Sequence, residues 1–125
     1  MGRNVDALRN VLVDLKAATD AEVCAVVAKS GVPLAYILPE ESHVDNFGTM
    51  AATLLGALDV IHSGLHKESP SRVVIDAGAS VLITQKVTEG AFLVAIVPAF
   101  STMVGAAVGA AAFRAKGFLG SEDDF

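Results

Sequence analysis

Five short apolar runs constrain the fold of this chain more than any other feature. They form a pair and a triplet, and within each group only a short turn separates one run from the next. The pair is residues 22–28 and 33–38, and the triplet is residues 72–76, 80–87 and 91–97. Gly31 separates the members of the pair and can supply the positive φ of a tight hairpin. Gly78 and Gly90 stand in the two turns of the triplet. The pattern predicts a β-hairpin and a three-stranded meander, and therefore one mostly antiparallel sheet.

Three segments with helical periodicity accompany the predicted strands. They cover residues 5–18, about 42–65 and about 101–115. Asn4 and Ser42 are suitable N-caps for the first two helices, and Gly117 stands after the third as a stop signal. Strands such as residues 91–97 are apolar at consecutive positions, so both faces of the sheet should be covered. The predicted fold class is therefore α/β of the α+β type.

The longest uncharged stretch, residues 91–113, is the one segment long enough to cross a bilayer. Pro98 interrupts it, strand-forming residues precede Pro98, and alanine and glycine dominate the residues after it. A strand, a turn and a helix explain the stretch better than a membrane span. Residues 1–6 contain no apolar signal core, so we do not expect a signal sequence. We therefore expect a cytoplasmic protein with a single domain in residues 1–120 and a flexible acidic tail in residues 121–125.

Composition limits the partners that the chain can take. The formal net charge is −5 and the nine lysines and arginines are scattered, which disfavours a nucleic-acid partner. Apolar residues make up 53% of the chain, above the roughly 45–50% usual for soluble domains, so some apolar surface should meet another chain. The single cysteine, Cys24, lies inside an apolar run and predicts a buried thiol in a reducing compartment.

The second helix and the third strand carry the surface that best fits a second copy of the chain. Apolar residues recur along the helix at steps of three and four, the spacing of a coiled-coil seam, and Gly48, Ala52 and Gly56 allow a close neighbour. Residues 73–75 would form an apolar, unprotected edge if the meander leaves them outermost. The predicted dimer interface consists of Phe47, Met50, Ala51, Leu54, Leu55, Leu58, Ile61, Val73, Val74 and Ile75. The alternative is that the helix only covers its own sheet.

Reactive side chains form no recognisable catalytic pattern. His62 and His66 have the i, i+4 spacing of a helical metal site, but a third ligand is not evident and a solvated helix end is the simpler explanation. Cys24 has no histidine in the same strand or turn. Gly105 and Gly109 lie in the predicted third helix, where they favour close packing over phosphate binding. We predict no catalytic residue, no metal site and no cofactor, and expect that the protein is not an enzyme.

The apolar strand that leads into Ser30-Gly31-Val32-Pro33-Leu34, and the long alanine- and leucine-rich helix after it, resemble the Roadblock dynein light-chain family, in particular its MglB-like prokaryotic branch. The resemblance extends over nearly the whole chain. It implies a profilin-like sheet with strand order 2-1-5-4-3, the second helix on one face and the first and third helices on the other. It also implies a homodimer formed through the third strand and the second helix.

Members of that family act as adaptors, scaffolds or regulators of Ras-like small GTPases, and the resemblance implies the same for this chain. The GTPase would dock on the paired second helices, where Asp59 and Lys67 are expected to be exposed. The four arginines lie outside glycine-flanked loops, which disfavours an arginine finger, so any GTPase-activating effect would come from ordering the partner. The alternative function is a small-ligand sensing domain of profilin-like fold, although no convergent polar groups mark a pocket in the sequence.

Overall fold

The computed structural model describes residues 2–39, 44–67 and 71–119, which contain three α-helices and five β-strands. The helices are α1 (Gly2–Thr19), α2 (Val44–Gly64) and α3 (Thr102–Leu119). The strands are β1 (Val23–Ala28), β2 (Pro33–Ile37), β3 (Arg72–Asp76), β4 (Val81–Thr88) and β5 (Ala91–Val97). All eight predicted elements are present in the predicted order. Within these ranges, no helix is both long and apolar enough to span a bilayer.

The five strands form one antiparallel sheet in the order β2-β1-β5-β4-β3. This confirms the antiparallel pairing predicted from the hairpin and the meander, and the strand order that the resemblance implied. β3 lies at one edge of the sheet and β2 at the other. The register shifts between Val26 and Val27 and again between Lys86 and Thr88. Such bulges increase the local twist and redirect side chains.

Opposite faces of the sheet carry two hydrophobic cores of unequal size. On the larger side, α1 and α3 pack on alternate residues of the strands, and fully buried members include Leu12, Val26, Ile83, Leu93 and Val108. On the smaller side, α2 covers a cluster of Ala25, Val27, Phe92 and Val94. Burying one valine or leucine contributes about 1.5–3 kcal/mol, so the side with α1 and α3 supplies most of the stability. Both faces are covered as predicted.

The β1–β2 hairpin and α2 approach each other at two glycines. Gly31 has φ +100°, in the left-handed region that favours glycine, which confirms its predicted place in the hairpin turn. A Cβ added at Gly48 would overlap the carbonyl oxygen of Gly31, so the missing side chain lets the helix backbone rest on the turn. The close neighbour predicted for Gly48 is therefore the chain's own hairpin.

Two helix ends differ from the prediction. α1 begins at Gly2, so Asn4 lies within the helix and is not its N-cap. α3 continues through Gly117 to Leu119, several residues beyond its predicted end. Leu119 is buried, and burying a leucine contributes about 1.5–3 kcal/mol, more than the roughly 1 kcal/mol that a helical glycine costs. The predicted N-cap Ser42 and the predicted acidic tail lie outside the described residues.

Candidate functional site

The predicted interface residues of β3 lie along the open edge of the sheet. Pairing with β4 places Val74 beside Ile83 on the face that carries α3, and Val73 and Ile75 on the face that carries α2. Val74 is 41% exposed, and Val73 and Ile75 are half-buried. No further strand lies outside β3 in the described part of the chain. An apolar strand with an open edge is a site where another strand can add.

The predicted interface residues of α2 do not all lie on the same side of the helix. Ala51 and Leu55 pack against the chain's own sheet, together with Ala52. Leu54 is half-buried, and Val60, which the seam did not include, is 72% exposed. The side chains of four further predicted residues lie outside the described part of the structure: Phe47, Met50, Leu58 and Ile61. The described apolar residues of α2 that lie outside the packed cluster are therefore Leu54, Ala57 and Val60.

Asp59 on α2 is not the free, exposed position that the sequence suggested. It is half-buried, and its Oδ2 lies 3.4 Å from Nζ of Lys29 at the end of β1. Because the partners stand on different elements, the ion pair connects α2 to the β1–β2 turn. Lys67, just beyond α2, is exposed as expected. Asp59 differs from the expectation because the side of α2 that carries it faces the β1–β2 turn. Sequence spacing alone does not reveal which side of a helix meets a distant turn.

A pocket opens beside this ion pair, between α2 and the ends of two hairpins. We call it the hairpin pocket; its lining is Lys29, Leu55, Asp59, Ser71, Lys86, Thr88, Glu89, Ala91 and Phe92. The cavity measures about 110 Å³, and its apolar part includes the buried ring of Phe92. Two backbone hydrogen bonds fix the walls: Lys29 N–H donates to Gly90 O at 2.8 Å, and Lys86 N–H donates to Ser71 O at 2.7 Å.

Four charged side chains line this pocket, two of each sign. In addition to the Lys29–Asp59 pair, Lys86 Nζ donates a hydrogen bond to Glu89 Oε2 at 2.6 Å. That hydrogen bond and the charge of Lys86 lower the pKa of the Glu89 carboxyl; Lys29 adds to the effect and Asp59 opposes it. The two ion pairs are thus close enough to influence each other. The sequence missed this group because its members are brought together only when the two hairpin turns meet at one end of the sheet.

Comparison with known structures identifies this arrangement of elements. MglB of Myxococcus xanthus superposes with a TM-score of 0.87, covering 94% of this chain and 91% of that chain at 14% identity. A Roadblock/LC7 domain from Streptomyces avermitilis gives 0.78, covering 90% and 98% at 14% identity. The chain has the Roadblock fold. Profilin II of Acanthamoeba castellanii shares the architecture more distantly, at a TM-score of 0.52, 19% identity and coverage of 90% and 94%. No protein-family model and no curated protein sequence matches the chain.

In this Roadblock fold the described arginine side chains are bonded within the chain. Arg9 donates to the backbone carbonyl oxygen of Tyr36 at 2.9 Å. Arg114 on α3 pairs with Asp14 on α1, also at 2.9 Å. The side chain of Arg3 lies outside the described part of the structure. The guanidinium groups of Arg9 and Arg114 are thus both engaged within the chain.

Arg72 connects the edge strand of the Roadblock sheet to α3. Its Nε donates to Gln85 Oε1 at 2.6 Å and its Nη2 donates to Gly105 O at 2.8 Å. A Cβ added at Gly105 or Gly109 would approach the guanidinium to 3.0 Å or 3.3 Å. The sequence predicted that these glycines favour close packing; what packs on them is an arginine from β3.

The remaining candidate reactive groups, Cys24, His62 and His66, are not among the residues that line the hairpin pocket. Cys24 is fully buried, as predicted, and its Sγ lies 3.5 Å from the carbonyl oxygen of Leu12. Burial raises the pKa of the Cys24 thiol to about 11, and the charge of Lys16 opposes this only in part. His62 is half-buried near the end of α2 and His66 is exposed beyond it. Among the described residues, these histidines belong to no group of three side chains able to hold a metal.

Proposed function

We propose that the protein is a non-catalytic homodimer of the Roadblock type that regulates or tethers a Ras-like small GTPase. The observation that carries the proposal is an apolar, open β3 edge on a Roadblock fold. Val74 is 41% exposed at that edge, and Val60 is 72% exposed on α2. An apolar strand with an unpaired edge is a site at which a strand of another chain can add. The GTPase is the class of partner implied by the sequence resemblance.

In the proposed dimer, the β3 strands of two copies pair across a two-fold axis and continue the sheet from one protomer into the other. The α2 helices then lie side by side on one face, so that Leu54 and Val60 contact their counterparts. Val73 and Ile75, which are only half-buried in one chain, become covered by the partner. A two-fold interface of this kind uses the same patch on both copies, which is the commonest form of homodimer.

The proposed GTPase surface is the exposed side of the paired α2 helices and the residues just after them, including Lys67. Arg9, Arg72 and Arg114 are held by intramolecular bonds, so they do not reach into a partner's active site without losing those contacts. A GTPase-activating effect, if the protein has one, therefore arises from ordering the catalytic residues of the GTPase itself.

Calorimetry with purified Ras-like GTPases from the source organism, each loaded with GDP or with a non-hydrolysable GTP analogue, tests the proposal. We expect one GTPase to bind in one nucleotide state and Lys67→Glu to weaken that binding about ten-fold, while light scattering still shows a dimer. Lys116→Glu, an exposed charge reversal on α3 at the other face, should leave binding unchanged. If no Ras-like GTPase binds in either state, the proposed partner is wrong.

A small-ligand sensing domain is the second candidate function, and the hairpin pocket favours it. The pocket supplies the convergent polar groups that the sequence did not reveal. Its cavity of about 110 Å³ is below the roughly 300–1,000 Å³ of sites for drug-sized ligands, so only a small metabolite fits. A saturable rise of the Tm with one member of a metabolite panel would support this function, since a ligand that binds the native state stabilises it.

A further inference from the structure

The size and lining of the hairpin pocket limit what it can bind. The cavity of about 110 Å³ is lined by the apolar side chains of Leu55 on α2 and Phe92 on β5 and by four charged side chains. The bulge in β4 pairs Lys86 with Phe92 and Thr88 with Ala91. These four pocket residues therefore lie together at the turn end of the β4–β5 hairpin. Bulges recur beside binding sites because they redirect side chains. The small volume and the mixed lining suit a molecule with a short apolar part and a polar head.

The charges around the pocket select the kind of polar head. Lys29 and Lys86 attract an anion, but Asp59 and Glu89 repel it, and the reverse holds for a cation. A ligand that carries one charge of each sign finds an oppositely charged side chain for both of its groups, which a singly charged ligand does not.

The ion pairs leave hydrogen-bonding capacity for such a ligand. An ammonium group has three donors, and Lys29 and Lys86 each use one in the ion pairs given above. The Lys29–Asp59 separation of 3.4 Å exceeds the roughly 2.7–2.9 Å of a short charged hydrogen bond, so this ion pair is looser than the Lys86–Glu89 pair at 2.6 Å. Both lysine side chains are partly exposed, at 60% and 44%, which leaves them accessible from solvent.

We propose that the hairpin pocket binds a zwitterionic α-amino acid with a small apolar side chain. The ligand carboxylate lies between the ammonium groups of Lys29 and Lys86. The ligand ammonium faces Asp59 and Glu89, and the ligand side chain enters the cavity over Phe92. The inference rests on the second candidate function, which it deepens by naming the ligand class.

Calorimetric titration of the full chain with glycine, L-alanine, L-valine and L-leucine tests the ligand class. We expect saturable binding with a Kd on the order of 1 mM, tighter for valine than for glycine because the valine side chain covers apolar surface. Isovalerate and isobutylamine each keep only one of the two charges of valine. Each should bind at least about ten-fold more weakly than valine, since one charge–charge contact is lost.

Substitutions of residues that line the hairpin pocket test whether the amino acid binds there. Lys86→Gln and Asp59→Asn should each weaken valine binding at least about ten-fold. Asp14→Asn removes a comparable exposed ion pair between α1 and α3 and should leave the affinity unchanged. Far-UV circular dichroism checks that each variant is folded. If Asp59→Asn does not fold, Lys86→Gln still tests the location, because the Lys86 side chain is partly exposed and its replacement should not disturb the fold. Equal affinities for Lys86→Gln and Asp14→Asn would overturn the location.

The outcomes separate this inference from the function on which it rests. If another class of metabolite raises the Tm while none of the four amino acids binds, the sensing function stands and the amino-acid assignment is wrong. If no metabolite of any class binds, both fail. Equal binding of valine, isovalerate and isobutylamine also contradicts the assignment, because the paired charges would then not select the ligand.

Discussion

At Gly48 the backbone of α2 rests on the carbonyl oxygen of Gly31, whereas the space beside Gly56, two turns later on the same helix, is open. We expect Gly48→Ala to lower the free energy of unfolding by about 1–3 kcal/mol, because the new methyl group forces the helix off the hairpin turn. Gly56→Ala is the matched control and should raise it by up to about 1 kcal/mol, since alanine is the better helix former. Urea unfolding measures both, and equal changes would contradict this account of Gly48.

Ionisation of the Cys24 thiol should make the free energy of unfolding depend on pH. Because burial raises the thiol pKa from 9.0 to about 11, the native chain keeps this proton between those values while the unfolded chain loses it. The stabilising contribution is complete below pH 9 and is lost as the pH rises to about 11, about 3 kcal/mol in all. Unfolding curves of wild type and Cys24→Ala should therefore converge or cross as the pH rises from 8.5 to about 11. A constant difference across this window would contradict the raised pKa.

At the scale of elements, the exposed position of β3 makes its attachment depend on a small number of contacts. Arg72 supplies two of them, to Gln85 on β4 and to Gly105 on α3. We expect Arg72→Lys to cost about 1–3 kcal/mol and to speed amide hydrogen exchange in β3, because a lysine does not reproduce the planar pair of donors. Arg114→Lys, in an exposed ion pair, should cost less than about 1 kcal/mol. Unchanged exchange in β3 would show that Arg72 does not hold the edge.

At the scale of the whole molecule, the prediction concerns the oligomeric state. Val74→Lys places a charge on the open edge of the sheet, and we expect light scattering to show a monomer at concentrations at which the wild type is a dimer. Val13→Lys makes the same change at a valine of similar exposure on α1, 49% against 41%, and should remain dimeric. A wild-type monomer, or a dimer that survives Val74→Lys, would contradict the proposed interface.

Much of the fold can be predicted from short-range patterns. Glycine-containing turns between apolar runs define the hairpin and the meander, and apolar repeats define the three helices. The helix ends were less predictable: α3 runs past Gly117 because Leu119 finds a buried position, and that position depends on the rest of the fold. The candidate site was predictable only in part. The apolar character of residues 73–75 was evident, but the direction of Leu55 toward its own sheet was not.

The order of the elements, the antiparallel hairpin pairing, the burial of Cys24 and the apolar character of residues 73–75 are all encoded locally in the chain. These properties depend on residues that are neighbours in the sequence or that repeat at a fixed period. Three other contacts arise only in the folded molecule: Asp59 pairs with Lys29, Arg72 packs on Gly105, and charges from separate turns converge on one pocket. Their partners are distant along the chain, so these contacts depend on how the twisted sheet and the helices meet, and no local spacing encodes that geometry.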